Sequence, residues 1–210
     1  VTTTGTQIYN DNVVLKSSTT LDGSAVTFAQ TVMGDSTTAR DLTINAHSGD
    51  ITFNGNVGAA GALIGAVTLN TAGNNVFNAP VSVGSILTDA AATPVTDKTI
   101  INTLTVTTTG TQIYNDDVVL QSNTTLDGSA LTFAKTVMSD GTTHNLTING
   151  TGGNVTFNSS VGSLALPVGI FTVNSTGGTY FNDLITVGHL ETGSTGTTYF
   201  NSTTATTTSP

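Results

Sequence analysis

The residues of this 210-residue chain with the strongest claim to chemistry are two adjacent carboxylates, Asp116 and Asp117, and the related Asp11. Two carboxyl groups can share general acid/base work only if both converge on one reacting bond. Neighbours on an extended strand point to opposite sides, so the pair reads as turn or surface acids, and no catalytic site is expected. Carboxylate oxygens also suit calcium, a hard cation that takes about six to eight oxygen ligands. Asp11, Asp116 and Asp117 are therefore weak calcium candidates, although the glycine-rich nonapeptide of calcium-binding β-rolls is missing. His47, His144 and His189 do not recur at equivalent places in the repeat described below, no Gly-x-Ser-x-Gly elbow occurs, and the absence of Cys removes thiolate chemistry and disulfides.

The elements that would carry these residues are set by an unusual composition. Thr supplies 46 positions, Gly 23 and Asn 19, whereas charged residues make up 8%. Residues that favour strands and turns are abundant and helix formers scarce. Mean hydropathy is +0.14, too high for a disordered polar tail. The net charge is -9, and the only cations are Lys16, Arg40, Lys98 and Lys135. A row of phosphates would find no basic surface, which excludes nucleic acid as a main partner and disfavours anionic membranes. The longest apolar run, residues 161–173, is broken by Gly162, Pro167 and Gly169, so no membrane insertion is expected.

A duplication organises the chain. Residues 1–38 return at 106–143 with 31 of 38 positions identical, and after a one-residue deletion residues 41–58 are answered by 145–162. Two tandem units follow, 1–105 and 106–210, read as one continuous body. Shorter modules lie inside each copy, such as STGGTYFN at 175–182 and STGTTYFN at 194–201, which start 19 residues apart. Their pattern is strand, glycine turn, strand, asparagine corner, strand. Alternation of Val26 and Phe28 with polar neighbours supports half-buried strands, and Asp22-Gly23 and Asp127-Gly128 read as turns. Asn10, Asn54, Asn78, Asn115, Asn158, Asn182 and Asn201 occupy the corner position, where Asn tolerates left-handed backbone and stacked amides can bond from coil to coil. The aromatic residue before each of these corners reads as a core stack, with a sugar-stacking strip as the alternative.

A unit of about 19 residues cannot bury its own apolar face, but stacking such units at ~4.8 Å buries a continuous core. The expected fold is an all-β parallel β-helix, or β-solenoid, of about eleven coils. The strings VTTTGTQIYNDNVVL and VTTTGTQIYNDDVVLQSNTTLDG resemble the β-strand repeats of large bacterial surface exoproteins of the filamentous haemagglutinin type. That resemblance implies a right-handed helix and the shaft of an extracellular or cell-surface adhesin, reaching a host receptor or glycan. The alternative is a subunit of a self-assembling extracellular filament or sheath, its partner another copy of itself. Alternating Thr103, Thr105 and Thr107 raise a lesser possibility of ice binding, and Asn-x-Ser/Thr acceptors such as Asn123 and Asn145 are expected to be bare.

Overall fold

In a computed structural model, which describes residues 1–89, 97–193 and 195–202 together with the backbone of 205–207, the chain is a stack of short parallel strands with no helix among the described residues. The physical cause is visible in each strand. Val26–Phe28, Ile51–Phe53, Leu131–Phe133 and Val155–Phe157 all bury their first and third side chains and half-expose the middle one, the period of two that one buried face requires. A strand of three residues holds too little apolar surface to be stable alone, so its stability comes from the strands above and below.

The stack has three faces. On the first, Gln7–Tyr9, Val26–Phe28, Ile51–Phe53, Asn75–Phe77, Lys98–Ile101, Asp117–Leu120 and Val137–Ser139 pair in order, and single bridges continue through Val161 to Ile185. On the second, Val13–Leu15 pairs with Val32–Gly34 and bridges lead through Val57 to Val81–Val83, Thr105–Thr108, Thr124–Gly128, Leu146–Gly150 and Val168–Ser175. The third face is a nine-stranded sheet running from Thr19–Gly23 to Thr197–Phe200. Every pair of named strands is parallel, so Asp22-Gly23 and Asp127-Gly128 are not hairpin turns. They end the strands Thr19–Gly23 and Thr124–Gly128.

Eight turns separate Gln7 from Ile185, roughly 22 residues each, in place of the expected eleven turns of 19. The spacing of 19 does occur, between Gln7 and Val26 and between Val118 and Val137. Other turns along this row take 24 or 25, as from Val26 to Ile51 and from Val137 to Val161. Outward excursions absorb the excess; residues 58–63 form one of them, closed by an antiparallel bridge between Ala59 and Ala62. Gly58 and Gly162 make the same sharp exit in the two copies, at φ 83° and 70°. A Cβ at either place would overlap the carbonyl oxygen of Ser82 or Thr186 in the next turn, so only glycine fits.

The two copies do not occupy the same faces. Gln7–Tyr9 lies on the first face against Val26–Phe28, whereas its repeat Gln112–Tyr114 lies on the third against Leu131–Phe133. Starting at Gln7, four pairing steps reach Thr99, and Gln112 comes two faces later in that turn. One copy thus spans four turns and two-thirds of a fifth. The aromatic columns separate accordingly. Tyr9, Phe28, Phe53 and Phe77 stack in one corner with centroids 5.1 to 5.5 Å apart. Tyr114, Phe133, Phe157, Phe181 and Phe200 stack in another at 4.8 to 5.4 Å.

Candidate functional site

Where one column gives way to the other, the interior turns polar. The inward positions of the first face run Gln7, Val26, Ile51, Asn75, Thr99, Val118 and Val137, so two polar side chains interrupt an aliphatic row. On the third face Thr88 stands inward between Leu69 and Tyr114. Asp89, Asp97 and Asp116 close around these residues, all at most 5% exposed. One carboxylate oxygen from each of the three lies within 4.8 Å of the others.

Each acid arrives by a local device. Asp89 follows the strand Ser85–Thr88 at φ 45°, the one left-handed non-glycine residue among those described, a conformation Asp tolerates better than most residues. Its Oδ1 accepts from Thr71 N at 3.0 Å. Asp116 sits in the corner between Gln112–Tyr114 and Asp117–Leu120. Its Oδ1 accepts from the hydroxyls of Thr88 and Thr99 at 2.8 and 2.9 Å. Asp97 precedes the strand Lys98–Ile101, and Lys135 Nζ stands 3.9 Å from its Oδ1, beyond hydrogen-bonding distance. The Asn75 amide fills the centre, donating to Asp116 Oδ2 at 3.3 Å and Asp89 Oδ2 at 3.4 Å.

The electrostatics are those of crowded like charges. Burial pushes the Asp89 carboxyl up to about 8, helped by the hydrogen bond that its protonated form donates to Asp97 and by the charges of Asp116 and Asp97, while the Thr71 N–H pulls the other way. Burial, then the Asp116 carboxylate, also push the Tyr114 hydroxyl up. That hydroxyl donates to Gln112 Oε1 at 2.8 Å, and Gln112 Nε2 donates to Asp127 O at 2.8 Å. Among the described residues, two buried side-chain atoms lack a hydrogen bond: Asp97 Oδ1 and Asn75 Oδ1. A buried polar atom left this way costs about 1–3 kcal/mol.

Of the calcium candidates read from sequence, Asp116 alone joins the cluster. It does lie at a turn between two strands, but it is 1% exposed, which overturns its reading as a surface acid. Asp117 faces out and accepts from Thr136 N at 3.0 Å; Asp11 is exposed. Sequence reasoning missed Asp89, Asp97 and Asn75. Their repeat partners give no signal: Asn75 aligns with Thr179 and Asp89 with Gly193.

The corner asparagines fall into three groups. Asn78 donates to Asn54 at 2.9 Å and Asn102 to Asn78 at 3.1 Å; in the second copy Asn182 donates to Asn158 at 3.0 Å and Asn201 to Asn182 at 2.7 Å. Asn115 instead donates to the carbonyls of Thr88 and Asp89 at 3.0 and 3.3 Å, and Asn10 is exposed in the first turn. A second set of ladders runs along the strand ends, Asp22 with Asn45 and Asn70, and Asp127 with Asn149 and Asn174. His47 and His144 form surface pairs with Asp22 and Asp140 at 2.9 and 3.1 Å; His189 is exposed. Thr103 is buried, Thr105 and Thr107 half-buried. The inward aromatics are core, and the one outward aromatic stack is Tyr180 on Tyr199, at 4.7 Å. No family model, curated protein or solved structure matches the chain significantly.

Proposed function

We propose that this chain is a stretch of structural shaft from a bacterial cell-surface or secreted fibrous adhesin, acting by extension rather than by catalysis, with binding to a host receptor or glycan carried elsewhere. The observation that carries this reading is the offset between copies: a repeat of four and two-thirds turns continues the three-faced rod without a break, so adding copies adds length. Outward ladders of asparagine and continuous interior columns serve the same end, because each bonds one turn to the next.

A second reading is a subunit of a self-assembling extracellular filament or sheath, in which the parallel pairing that carries the rod from one sequence copy into the next joins one chain to another. Electron microscopy of the purified chain separates the two. Eight turns at ~4.8 Å give a rod of roughly 40 Å; single rods support the shaft, whereas long uniform filaments with an axial repeat of one chain would overturn it in favour of assembly.

A further inference from the structure

We propose that Asp89, Asp97, Asp116 and the side-chain carbonyl of Asn75 form an internal site for one calcium ion at the junction of the two sequence copies. The span of the cluster fits the ion. Its three carboxylate oxygens lie within 4.8 Å of one another, close enough for one ion at the calcium–oxygen distance of ~2.4 Å to reach all three. Each of the three residues carries a second oxygen, so with Asn75 the four side chains can supply up to seven oxygen ligands.

Asn75 is the independent observation that points to a ligand. It is fully buried and aimed into the cluster, yet its Oδ1 has no partner. A half-turn about its last side-chain bond exchanges the two amide atoms with little change of shape. The carbonyl oxygen then occupies the place 3.3 and 3.4 Å from Asp116 Oδ2 and Asp89 Oδ2, close to the ~3.4 Å edge of an octahedral shell of ~2.4 Å radius. The donor set is all oxygen, the preference of a hard cation.

Charge argues in the same direction. Buried carboxylates need a cation or protons to offset their lost hydration. Among the described residues the one side-chain cation within ion-pair distance of the three acids is Lys135, 3.9 Å from Asp97. An open groove of about 280 Å³, lined by Asn45, His47, Asn70, Thr71 and Asp89, leads from solvent to the side of the cluster. The ligands come from consecutive turns, so an ion would fasten the two copies where the aromatic columns change corner.

Isothermal titration and thermal melts of the EDTA-treated chain with CaCl₂ and with MgCl₂ test the site. The expected result is one calcium per chain and a Tm rise of about 5 °C or more in 1 mM CaCl₂, as micromolar affinity implies for a domain of this size. Asp89→Asn and Asp116→Asn should abolish both, whereas Asp11→Asn should change neither. Absence of calcium binding, an equal Tm rise with magnesium, or a rise that persists in Asp116→Asn would each overturn the site. Terbium luminescence excited through tyrosine in the unmodified chain gives a readout independent of variant folding: calcium should displace one terbium per chain, and failure to do so would likewise overturn it.

Discussion

Truncating equivalent phenylalanines in the two copies should have unequal effects, and the difference can be worked from ring contacts. Phe53 and Phe157 answer each other in the duplication and are both at most 1% exposed. Phe53 stacks on two rings, Phe28 at 5.1 Å and Phe77 at 5.5 Å. Phe157 stacks on Phe133 at 4.8 Å and Phe181 at 5.2 Å, and also meets the edge of Phe171 at 5.4 Å. Removing a buried Phe costs about 3–5 kcal/mol, and each ring pair adds about 0.5–1.5 kcal/mol beyond area. Phe53→Ala should therefore lose about 4 kcal/mol and Phe157→Ala about 1 kcal/mol more. In a rod whose turns touch only their neighbours, the loss should also be local. Hydrogen exchange read by mass spectrometry should show faster exchange near residues 26–77 in Phe53→Ala and near 131–181 in Phe157→Ala, each leaving the other column protected. The two columns share no ring contact, so the double variant should lose the sum within about 0.5 kcal/mol. Equal losses, or deprotection of the whole chain by either change, would refute the two-column account.

Backbone and pH predictions follow from the same architecture. Gly58→Ala and Gly162→Ala should each lose at least about 2 kcal/mol in urea unfolding, since a Cβ meets the next turn's carbonyl, whereas Gly61→Ala, at φ 77° but facing open space, should lose only about 1 kcal/mol. Asp89, facing Asp97, Asp116 and, across Asp97, Lys135, holds a proton up to about pH 8 in the folded chain. The unfolded chain loses that proton near pH ~4. The folded state thus binds more protons between these limits, and stability in EDTA should fall as pH rises from about 5 to 8. A flat or rising urea midpoint over that range would contradict the buried cluster. Asp22 is held below the usual carboxylate range chiefly by His47, and Asp140 chiefly by the Thr142 N–H. Their contribution is present above pH ~4 and lost as pH falls below it, so the midpoint should drop again in acid.

Much of the fold is legible because it is local. Val26 and Phe28 alternate with Thr27, and Tyr9, Phe28, Phe53 and Phe77 recur at intervals close to one turn, so strands and core columns follow from period and spacing. The length of each turn does not, because it depends on how many residues leave the rod at Gly58 or Gly162 before returning. The cluster is harder still. Asp11 and Asp116 stand in nearly identical local sequence, YNDNVVL against YNDDVVL, yet one is exposed and the other buried. The difference lies in the turns beside Asp116, where Asn75, 41 residues away, reaches its carboxylate. Neither residue announces the other, and the duplication misleads by suggesting that what holds for Asp11 holds for Asp116.

The offset of one face per copy has consequences for a surface built from many copies. With a whole number of turns per copy, every ladder and every exposed tyrosine would line up along one side of the rod, giving a stripe able to zip against its neighbours. With four and two-thirds turns, the strand end that carries Asp22, Asn45 and Asn70 on the third face carries Asp127, Asn149 and Asn174 on the second. Each further copy would step the ladder on by one face, and it would return to its first position only after three copies, about 14 turns or roughly 67 Å at ~4.8 Å per turn. Identical copies then present different faces at any one height. The ladder-bearing surface would then wind around the rod, so that no single side would carry it along the whole length.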